Sequence, residues 1–243
     1  KAEATAQTGV KQIQWLSMLE RTIQRLVTEC SCYYLHQNEH TRAKIVVETR
    51  EARFNQWFCE TYPHVRIERA APILHRTRSV KSAEEIERMR HACGITRDGF
   101  NRVMNFLKPG VTEYEVEAEY LHEFVRKGSR GFAYTPIVAS GANACVLHYI
   151  ENSAVCQDGD VLLMDVGAEY GNYASDMTRC LPVSGRFTDR QRKVYDAVLS
   201  VMRDATKLLR PGVSLHDYHK QVGELMTEQL LGLGLIDKHD VAK

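Results

Sequence analysis

Apolar residues recur at helical spacing in the first third of the 243-residue chain and are separated by short strand-like runs. From Val10 to Thr28 this spacing predicts an amphipathic helix, and Arg50–Thr61 predicts a second one. The runs CYYL (32–35) and AKIVVE (43–48) are typical of short strands. The stretch YPHVRIERAAPILHRTR (62–78) has two prolines and mixed polarity, which predicts a strand followed by a linker.

A helix pair joined by a Pro-Gly turn occurs twice in the rest of the chain. Ser82, with a glutamate three residues later, starts the first helix by a capping-box pattern. FLKPGVTEYEVEAEYLHEFVRKG begins at Phe106 and LLRPGVSLHDYHKQVGELMTEQL begins at Leu208, an offset of 102 residues. Thr112 and Ser214 are each placed to cap the second helix of a pair. Two such turns can arise by chance, but the constant offset favours an internal duplication.

The strand patterns that follow the first helix pair have no counterpart after the second. TPIVASG (135–141), DVLLMDVG (160–167) and NYASDMTRCLPV (172–183) each predict a strand, whereas nine residues follow Gly234. If the duplication is real, the strands of the second half are absent, and we expect the chain to be incomplete.

Two aspartates mark the predicted hairpin between the last two of these strands. For residues that face each other across an antiparallel hairpin, the sum of the two residue numbers is constant. We call it the index sum, and for Asp165 and Asp176 it is 341. That value centres the turn between positions 170 and 171, near residues that tolerate positive φ, namely Gly167, Gly171 and Asn172. Carboxylates opposed at roughly 5 Å repel each other, and they either raise one pKa or bind a cation. The alternative is another turn register, with both aspartates solvated or capping turns.

Composition excludes several classes of protein. The chain is 44% hydrophobic and 26% charged, and its 32 basic and 31 acidic side chains give a net charge of +1, so we expect no nucleic-acid partner. No apolar run approaches the roughly 18 residues of a membrane span, and KAEATAQTGVKQ at the start has no signal-peptide core. We therefore expect no membrane partner. Seven scattered cysteines without a CxxC pair predict reduced thiols and a cytoplasmic location.

The hairpin sequence also resembles a known family. LLMDVGAEYGNYASDMTRCLPVSGRFTDRQRKVYDAVL is similar to the metal-binding hairpin of the proline-specific metallopeptidases of the pita-bread fold, which include aminopeptidase P and prolidase. SGANACVLHY resembles the stretch that supplies a site histidine, VKSAEEIERMRHA the entry to the catalytic domain, and PGVTEYEVE its first helix pair. The resemblance runs from about Pro72 to the C-terminus. The family's fold is a duplicated half-domain, in agreement with the 102-residue offset.

The resemblance implies an α+β fold in two domains. Residues 77–243 would be an incomplete pita-bread domain of duplicated ααβ half-domains with an antiparallel sheet. Residues 1–76 would be part of an α/β N-terminal domain of the creatinase and aminopeptidase P type. The implied function is a metal-dependent Xaa-Pro aminopeptidase acting on peptides with a penultimate proline, in a homodimer or homotetramer. Prolidase, which cleaves Xaa-Pro dipeptides, is the close alternative, and a non-catalytic pita-bread binding protein is the rival of another class.

The resemblance also implies roles for four residues. Asp165 would ligate one of two divalent cations and Asp176 would bridge both, with Mn²⁺ expected and Co²⁺ or Zn²⁺ found in some members; the cations would activate a water for attack on the scissile carbonyl. His148 would hydrogen-bond the substrate or the tetrahedral intermediate, with a core histidine as the alternative. Tyr134 would line the substrate pocket, with a half-buried strand aromatic as the alternative.

The rest of the family's ligand set is not found in this chain. The family also uses one histidine and two glutamates from its second half, and no residue here stands in their motif context. His216 and His219 fall on the last predicted helix and are interpreted as surface residues, and His239 lies in a polar tail. Because stable metal sites need more than two ligands, we expect the 243-residue polypeptide by itself to be inactive and to hold metal weakly.

Overall fold

A computed structural model describes residues 1–37 and 47–241 of the chain. It divides into two compact units, Lys1–Ser82 and Ala83–Lys243. The assignment of 1–76 and 77–243 to two named domains stays a prediction. None of the helices in the described ranges combines the length and the apolar character needed to cross a bilayer.

The first unit packs helices around two parallel strands. Its elements are α1 (Ala2–Thr8), α2 (Leu19–Glu29), β1 (Cys32–Leu35), α3 (Arg50–Thr61), β2 (Arg66–Arg69) and α4 (Ala71–Ser79). Strands β1 and β2 pair in parallel. Ile23, Leu35 and Phe58 form the buried centre of the unit, one each from a helix, a strand and a helix. Burying these apolar side chains is what holds the short elements together.

Two expectations for the first unit were wrong. The regular helix predicted from Val10 begins at Leu19, after a short 3₁₀ turn at Leu16–Met18. The predicted linker is the helix α4, because Pro72 lies in its first turn, where a missing N–H costs nothing. The helix at Arg50–Thr61 and the strand at CYYL are confirmed. Residues 43–46 of the predicted strand AKIVVE lie outside the described residues.

The second unit contains two helix pairs and an antiparallel sheet. Its elements are α5 (Ala83–Phe106), α6 (Glu113–Arg126), β3 (Ile137–Ser140), β4 (Val161–Val166), β5 (Glu169–Tyr170), β6 (Tyr173–Ala174), β7 (Met177–Pro182), α7 (Asp189–Leu208), α8 (Leu215–Gly232) and α9 (Lys238–Val241). The three longer strands form one sheet in the order β3-β4-β7, and β5 and β6 form the tip of the β4–β7 hairpin.

The two helix pairs repeat with the offset that the sequence predicts. Helices α5 and α7 end at Phe106 and Leu208, and α6 and α8 begin at Glu113 and Leu215, so both boundaries are 102 residues apart. Thr112 closes a capping box with Glu115, and the Ser214 hydroxyl accepts a hydrogen bond from the Asp217 N–H. The predicted caps are therefore confirmed at both positions.

The core of the second unit lies on one face of the sheet. Leu162, Met164 and Val166 alternate along β4 and are fully buried beneath α5 and α6, where the Tyr120 hydroxyl lies 3.3 Å from the Met164 sulfur. Because successive strand residues point to opposite faces, Asp165 lies on the other face. The strand can thus bury an apolar row and still present a carboxylate on the opposite side of the sheet.

Candidate metal centre

The hairpin that carries the two aspartates has a different register from the predicted one. Asp165 pairs with Thr178, and every pair in the hairpin has an index sum of 343 rather than 341. The turn residues are Gly171 and Asn172, with φ of 58° and 68°, as a two-residue type I′ turn requires. In the predicted register a tyrosine would occupy a central turn position, where a side chain is strained. The prediction that the aspartates face each other directly was therefore wrong.

The shift of two residues nevertheless keeps both aspartates on one face. Side chains alternate between the two faces along a strand. Asp176 is two residues before Thr178, the partner of Asp165, so its side chain lies on the same face as those of Thr178 and Asp165. Residues related diagonally in this way lie roughly 7–8 Å apart at Cα, within reach of long side chains. Asp165 is half-buried and Asp176 is exposed. The aspartates are therefore diagonal neighbours on the face opposite the core.

Tyr134 joins these two carboxylates. Its hydroxyl donates a hydrogen bond of 2.7 Å to Asp165 Oδ1 and lies 3.3 Å from Asp176 Oδ1. A hydroxyl has one proton, so the shorter contact is the stronger hydrogen bond. Burial, followed by the hydrogen bond to Asp165, raises the pKa of the Tyr134 hydroxyl above its usual value. The hydroxyl is therefore a donor at neutral pH, and one oxygen of each aspartate is directed at the same point.

A short backbone pairing brings Tyr134 to this position. The Ala133 N–H donates to the Gly167 carbonyl at 2.8 Å, and the Glu169 N–H donates to the Gly131 carbonyl at 3.0 Å. The segment at 131–133 therefore runs along the hairpin beside Asp165. The resemblance implies that Tyr134 lines the substrate pocket, and this stays a prediction. Its hydroxyl contacts Asp165 and Asp176, the two residues that the resemblance implies as metal ligands.

Buried hydroxyl groups fix the backbone beside Asp176. The Thr96 and Ser175 hydroxyl oxygens lie 2.6 Å apart, and the Ala168 N–H donates to both at 2.9 Å. Ser175 also donates to the Ala168 carbonyl at 3.0 Å. Because these groups are buried, leaving one unpaired would be costly. The residue next to Asp176 is thus tied both to the opposite strand and to α5.

Gly167 allows the two strands to approach each other between the aspartates. A Cβ built on Gly167 would lie 1.9 Å from the Ser175 carbonyl oxygen and 2.7 Å from its carbon. The sequence placed this glycine among the residues near the turn that tolerate a positive φ, but it is not among the positive-φ glycines of the described residues. Close backbone approach is the reason for glycine at this position.

His148 lies on a loop that follows β3. It is exposed, has φ of 55°, and follows Leu147, which is 92% exposed. The alternative of a core histidine is therefore wrong. Within the described ranges, no hydrogen bond or ion pair joins His148 to Asp165 or Asp176. The catalytic role of His148 stays a prediction.

The donor set fits a divalent cation in part. Carboxylate oxygens are the ligands that hard divalent cations prefer, and here two of them converge on one hydroxyl. Across residues 1–37 and 47–241, no group of three or more His, Cys, Asp or Glu side chains is arranged to hold a metal ion. His216, His219 and His239 are exposed, as the sequence predicted. Among the described residues the candidate donor set is therefore limited to Asp165 and Asp176, and their role as metal ligands stays a prediction.

An apolar groove of about 550 Å³ is lined in part by β7, the strand that follows Asp176. It lies between the sheet and α7, and its lining includes Thr178, the cross-strand partner of Asp165, and Cys180. Burial raises the pKa of the Cys180 thiol, so the thiol stays protonated at neutral pH. A protonated thiol is a poor nucleophile, so this cysteine packs rather than reacts.

Glu113 is a buried polar residue that the sequence did not single out. It is the first residue of α6 and is fully buried, and its carboxylate accepts hydrogen bonds from residues between 140 and 154. The sequence signal is only a glutamate after a Thr cap, which is common at exposed helix starts. Its burial depends on a loop that is far away in sequence.

Comparisons with known proteins agree on one family. Residues 87–241 match metallopeptidase family M24. The Xaa-Pro aminopeptidase of Escherichia coli (strain K12) is 37% identical over 240 residues, which cover 98% of this chain and 54% of that protein. The structure of proline aminopeptidase P II from Yersinia pestis has a TM-score of 0.80 and 34% identity, and covers 96% of this chain and 54% of that one.

A third similarity is to a metal-substituted enzyme. The structure of zinc-substituted E. coli aminopeptidase P in complex with product has a TM-score of 0.80 at 35% identity, and covers 96% of this chain and 53% of that one. These similarities confirm the predicted pita-bread fold class. The chain spans about half the length of the relatives that it matches.

Proposed function

Because the chain belongs to metallopeptidase family M24, we propose that the protein containing it is a metal-dependent Xaa-Pro aminopeptidase, which releases the N-terminal residue from peptides with a penultimate proline. One observation carries the proposal: the Asp165 and Asp176 carboxylates are directed at one point by the Tyr134 hydroxyl. The similarity to Xaa-Pro aminopeptidases over nearly the whole chain supports the choice of substrate.

Asp165 and Asp176 would supply oxygen ligands to two divalent cations, and we propose Mn²⁺, with Co²⁺ or Zn²⁺ as substitutes. Carboxylate oxygens suit Mn²⁺ because it is a hard cation. When bound, such cations provide a water of lowered pKa and polarise the scissile carbonyl. One histidine and two glutamates would complete the set and are not assigned to any residue of this chain.

His148 and Tyr134 would act around these ligands. The imidazole of His148 is exposed on a loop and would donate a hydrogen bond to the substrate carbonyl or to the oxyanion that develops from it. The hydroxyl of Tyr134 would orient both carboxylates, since it is already within hydrogen-bonding distance of each. Lining of the substrate pocket, the role that the resemblance implies for Tyr134, is proposed beside this one.

A substrate comparison tests the function. The full-length protein with added Mn²⁺ is expected to cleave Xaa-Pro-Xaa tripeptides with a higher kcat/KM than Xaa-Pro dipeptides, and to lose activity with EDTA. A preference for the dipeptides would instead identify a prolidase. No cleavage of either substrate by protein with all five ligands would contradict both peptidase functions and leave the non-catalytic binding protein.

Replacing Tyr134 by Phe should weaken metal binding. The substitution removes the hydroxyl that holds the two carboxylates, and loss of such an outer-sphere partner typically costs roughly 10–100-fold in metal affinity or activity. Calorimetric titration of the metal-free full-length protein with Mn²⁺ measures this. Tyr173→Phe is the matched control, because it removes a hydroxyl that bonds Glu85 instead. Equal affinity of Tyr134→Phe and wild type would rule out the orienting role.

Location and assembly are further proposals. A cytoplasmic location is supported by the seven cysteines, all of which are free thiols. Association into a homodimer or homotetramer is proposed from the family resemblance, and light scattering of the full-length protein measures it. Peptides with an Xaa-Pro N-terminus are the proposed partners.

A further inference from the structure

The carboxylate of Glu113 accepts hydrogen bonds from the 141–153 loop and from the two residues that flank it. Its Oε1 atom accepts from the Ser140 N–H at 2.7 Å and from Asn143 Nδ2 at 3.2 Å. Its Oε2 atom accepts from the Tyr149 hydroxyl at 2.7 Å and from the Ala154 N–H at 2.9 Å. A fully buried carboxylate is tolerated only with such partners, so these bonds account for its burial.

These contacts close the loop at its base and hold it from inside. Ser140 and Ala154 are the two ends of the loop, and each gives its backbone N–H to a different oxygen of Glu113. The Glu113 N–H in turn donates to the Ala154 carbonyl at 2.9 Å. Asn143 and Tyr149 reach the carboxylate from within the loop. The loop is thus a compact surface loop whose two ends are joined through one side chain.

The loop returns along β3 toward the aspartates. The Asn152 side chain accepts from the Val138 N–H at 3.0 Å and donates to the Pro136 carbonyl at 3.0 Å. These two groups flank Ile137, the strand partner of Asp165. The loop that contains His148 therefore ends next to Ile137, and Ile137 pairs with Asp165 across the sheet.

Tyr149 links Glu113 to His148. The Tyr149 ring is buried and its hydroxyl donates to the carboxylate, whereas the preceding His148 is exposed with φ of 55°. A non-glycine residue at positive φ is held there by its surroundings. The inward anchoring of Tyr149 is what directs the histidine outward.

We propose that Glu113 is a positioning residue, whose buried carboxylate fixes the 141–153 loop and thereby the orientation of His148. This inference rests on the proposed function, in which His148 contacts the substrate. Glu113 acts through the loop in this proposal, because the hydrogen bonds of its carboxylate are made to protein donors.

Glu113→Gln is a sharp test because neither orientation of the amide fits. Each carboxylate oxygen accepts a backbone N–H, so the new NH₂ group must face either the Ser140 or the Ala154 N–H. In the full-length protein we expect kcat on an Xaa-Pro-Xaa peptide to fall by roughly 100-fold, a loss that a 1 Å misplacement of a catalytic group can cause. We expect bound Mn²⁺ to be unchanged. Glu151→Gln, on an exposed residue of the same loop, should leave kcat unchanged.

A double-mutant cycle separates positioning from general destabilisation. In a His148→Ala background, Glu113→Gln should lower kcat by less than about threefold, because residues that act through one another are not additive. The same large factor in both backgrounds would overturn the proposal, and so would an unchanged kcat of the single variant. If Glu113→Gln does not fold, Tyr149→Phe, which removes one donor and keeps the carboxylate, replaces it in the same cycle.

A spectroscopic readout keeps this inference distinct from the proposed function. The imidazole NMR resonance of His148, assigned with His148→Ala, should shift or broaden in Glu113→Gln and not in Glu151→Gln. If wild type cleaves no peptide but the resonance responds, the proposed function fails and the positioning role stands. An unperturbed resonance in folded Glu113→Gln contradicts the positioning role whatever the activity.

Discussion

Asp176→Asn is expected to lower kcat/KM on an Xaa-Pro-Xaa peptide by at least about a thousandfold in the full-length protein. The Lewis-acid contribution that depends on this ligand is worth several kcal/mol, and each 1.36 kcal/mol corresponds to a factor of about ten in rate. The fold should be unaffected, because Asp176 is exposed and its hydrogen bond to Tyr134 is long. Its free energy of unfolding should stay within about 0.5 kcal/mol of wild type.

The control is Asp158→Asn, an exposed aspartate in the turn before β4. It makes the same change of charge in the same region and should leave both kcat/KM and metal content unchanged. Peptide hydrolysis and metal analysis of the purified variants measure the two quantities. Asp165→Asn should resemble Asp176→Asn in activity. A loss of less than threefold in Asp176→Asn would sink the assignment of Asp176 as a ligand.

Gly167→Ala is expected to destabilise the protein and to reduce its activity. The added Cβ would lie 1.9 Å from the Ser175 carbonyl oxygen, which is backbone and cannot rotate away. Inserting a methyl group into well-packed structure costs typically about 1–3 kcal/mol, occasionally more. Relief of the overlap must move the strands apart between Asp165 and Asp176, so kcat/KM should fall by roughly 100-fold as well. Denaturant unfolding and peptide hydrolysis measure the two effects.

Gly94→Ala provides the contrast for this substitution. Gly94 lies within α5, and a Cβ built there has no atom within 4 Å. Because glycine weakens a helix interior relative to alanine, Gly94→Ala should raise the free energy of unfolding by about 0.5–1 kcal/mol. Both substitutions add one methyl group, but Gly167→Ala should lower the free energy of unfolding and Gly94→Ala should raise it. A Gly167→Ala variant as stable as wild type would show that the strands can separate at no cost.

The elements of the second unit were largely predictable from the sequence. A short apolar run identified β4 and the polar turn after it identified the hairpin, and a Pro-Gly turn with a Thr or Ser cap identified the junction within each helix pair. These features are local, since they depend on residues within one or two turns of chain. The turn register was also encoded locally, because Gly171 and Asn172 adopt positive φ more readily than Tyr170. Our prediction placed the turn one position too early, because it assumed that the two aspartates lie directly opposite each other.

The partners of the polar side chains were not predictable in the same way. Tyr134 lies 31 residues before Asp165, and Glu113 lies 41 residues before Ala154. Such pairs form only when helices, loop and sheet have packed, and a periodic pattern contains no information about them. The burial of Glu113 and the close approach at Gly167 have the same origin.

The sequence patterns determined the repeated helix pairs, the hairpin and the two aspartates on it, and the class of fold followed from the family resemblance. The tertiary structure alone decided that the Tyr134 hydroxyl contacts both aspartates, that two backbones approach closely at Gly167, and that the Glu113 carboxylate bonds both ends of the loop that contains His148. The physical reason is the separation along the chain of the residues that interact. Backbone propensity and side-chain periodicity act between neighbours in the chain, whereas a buried carboxylate or a shared hydroxyl proton depends on groups that only the packed chain brings within hydrogen-bonding distance.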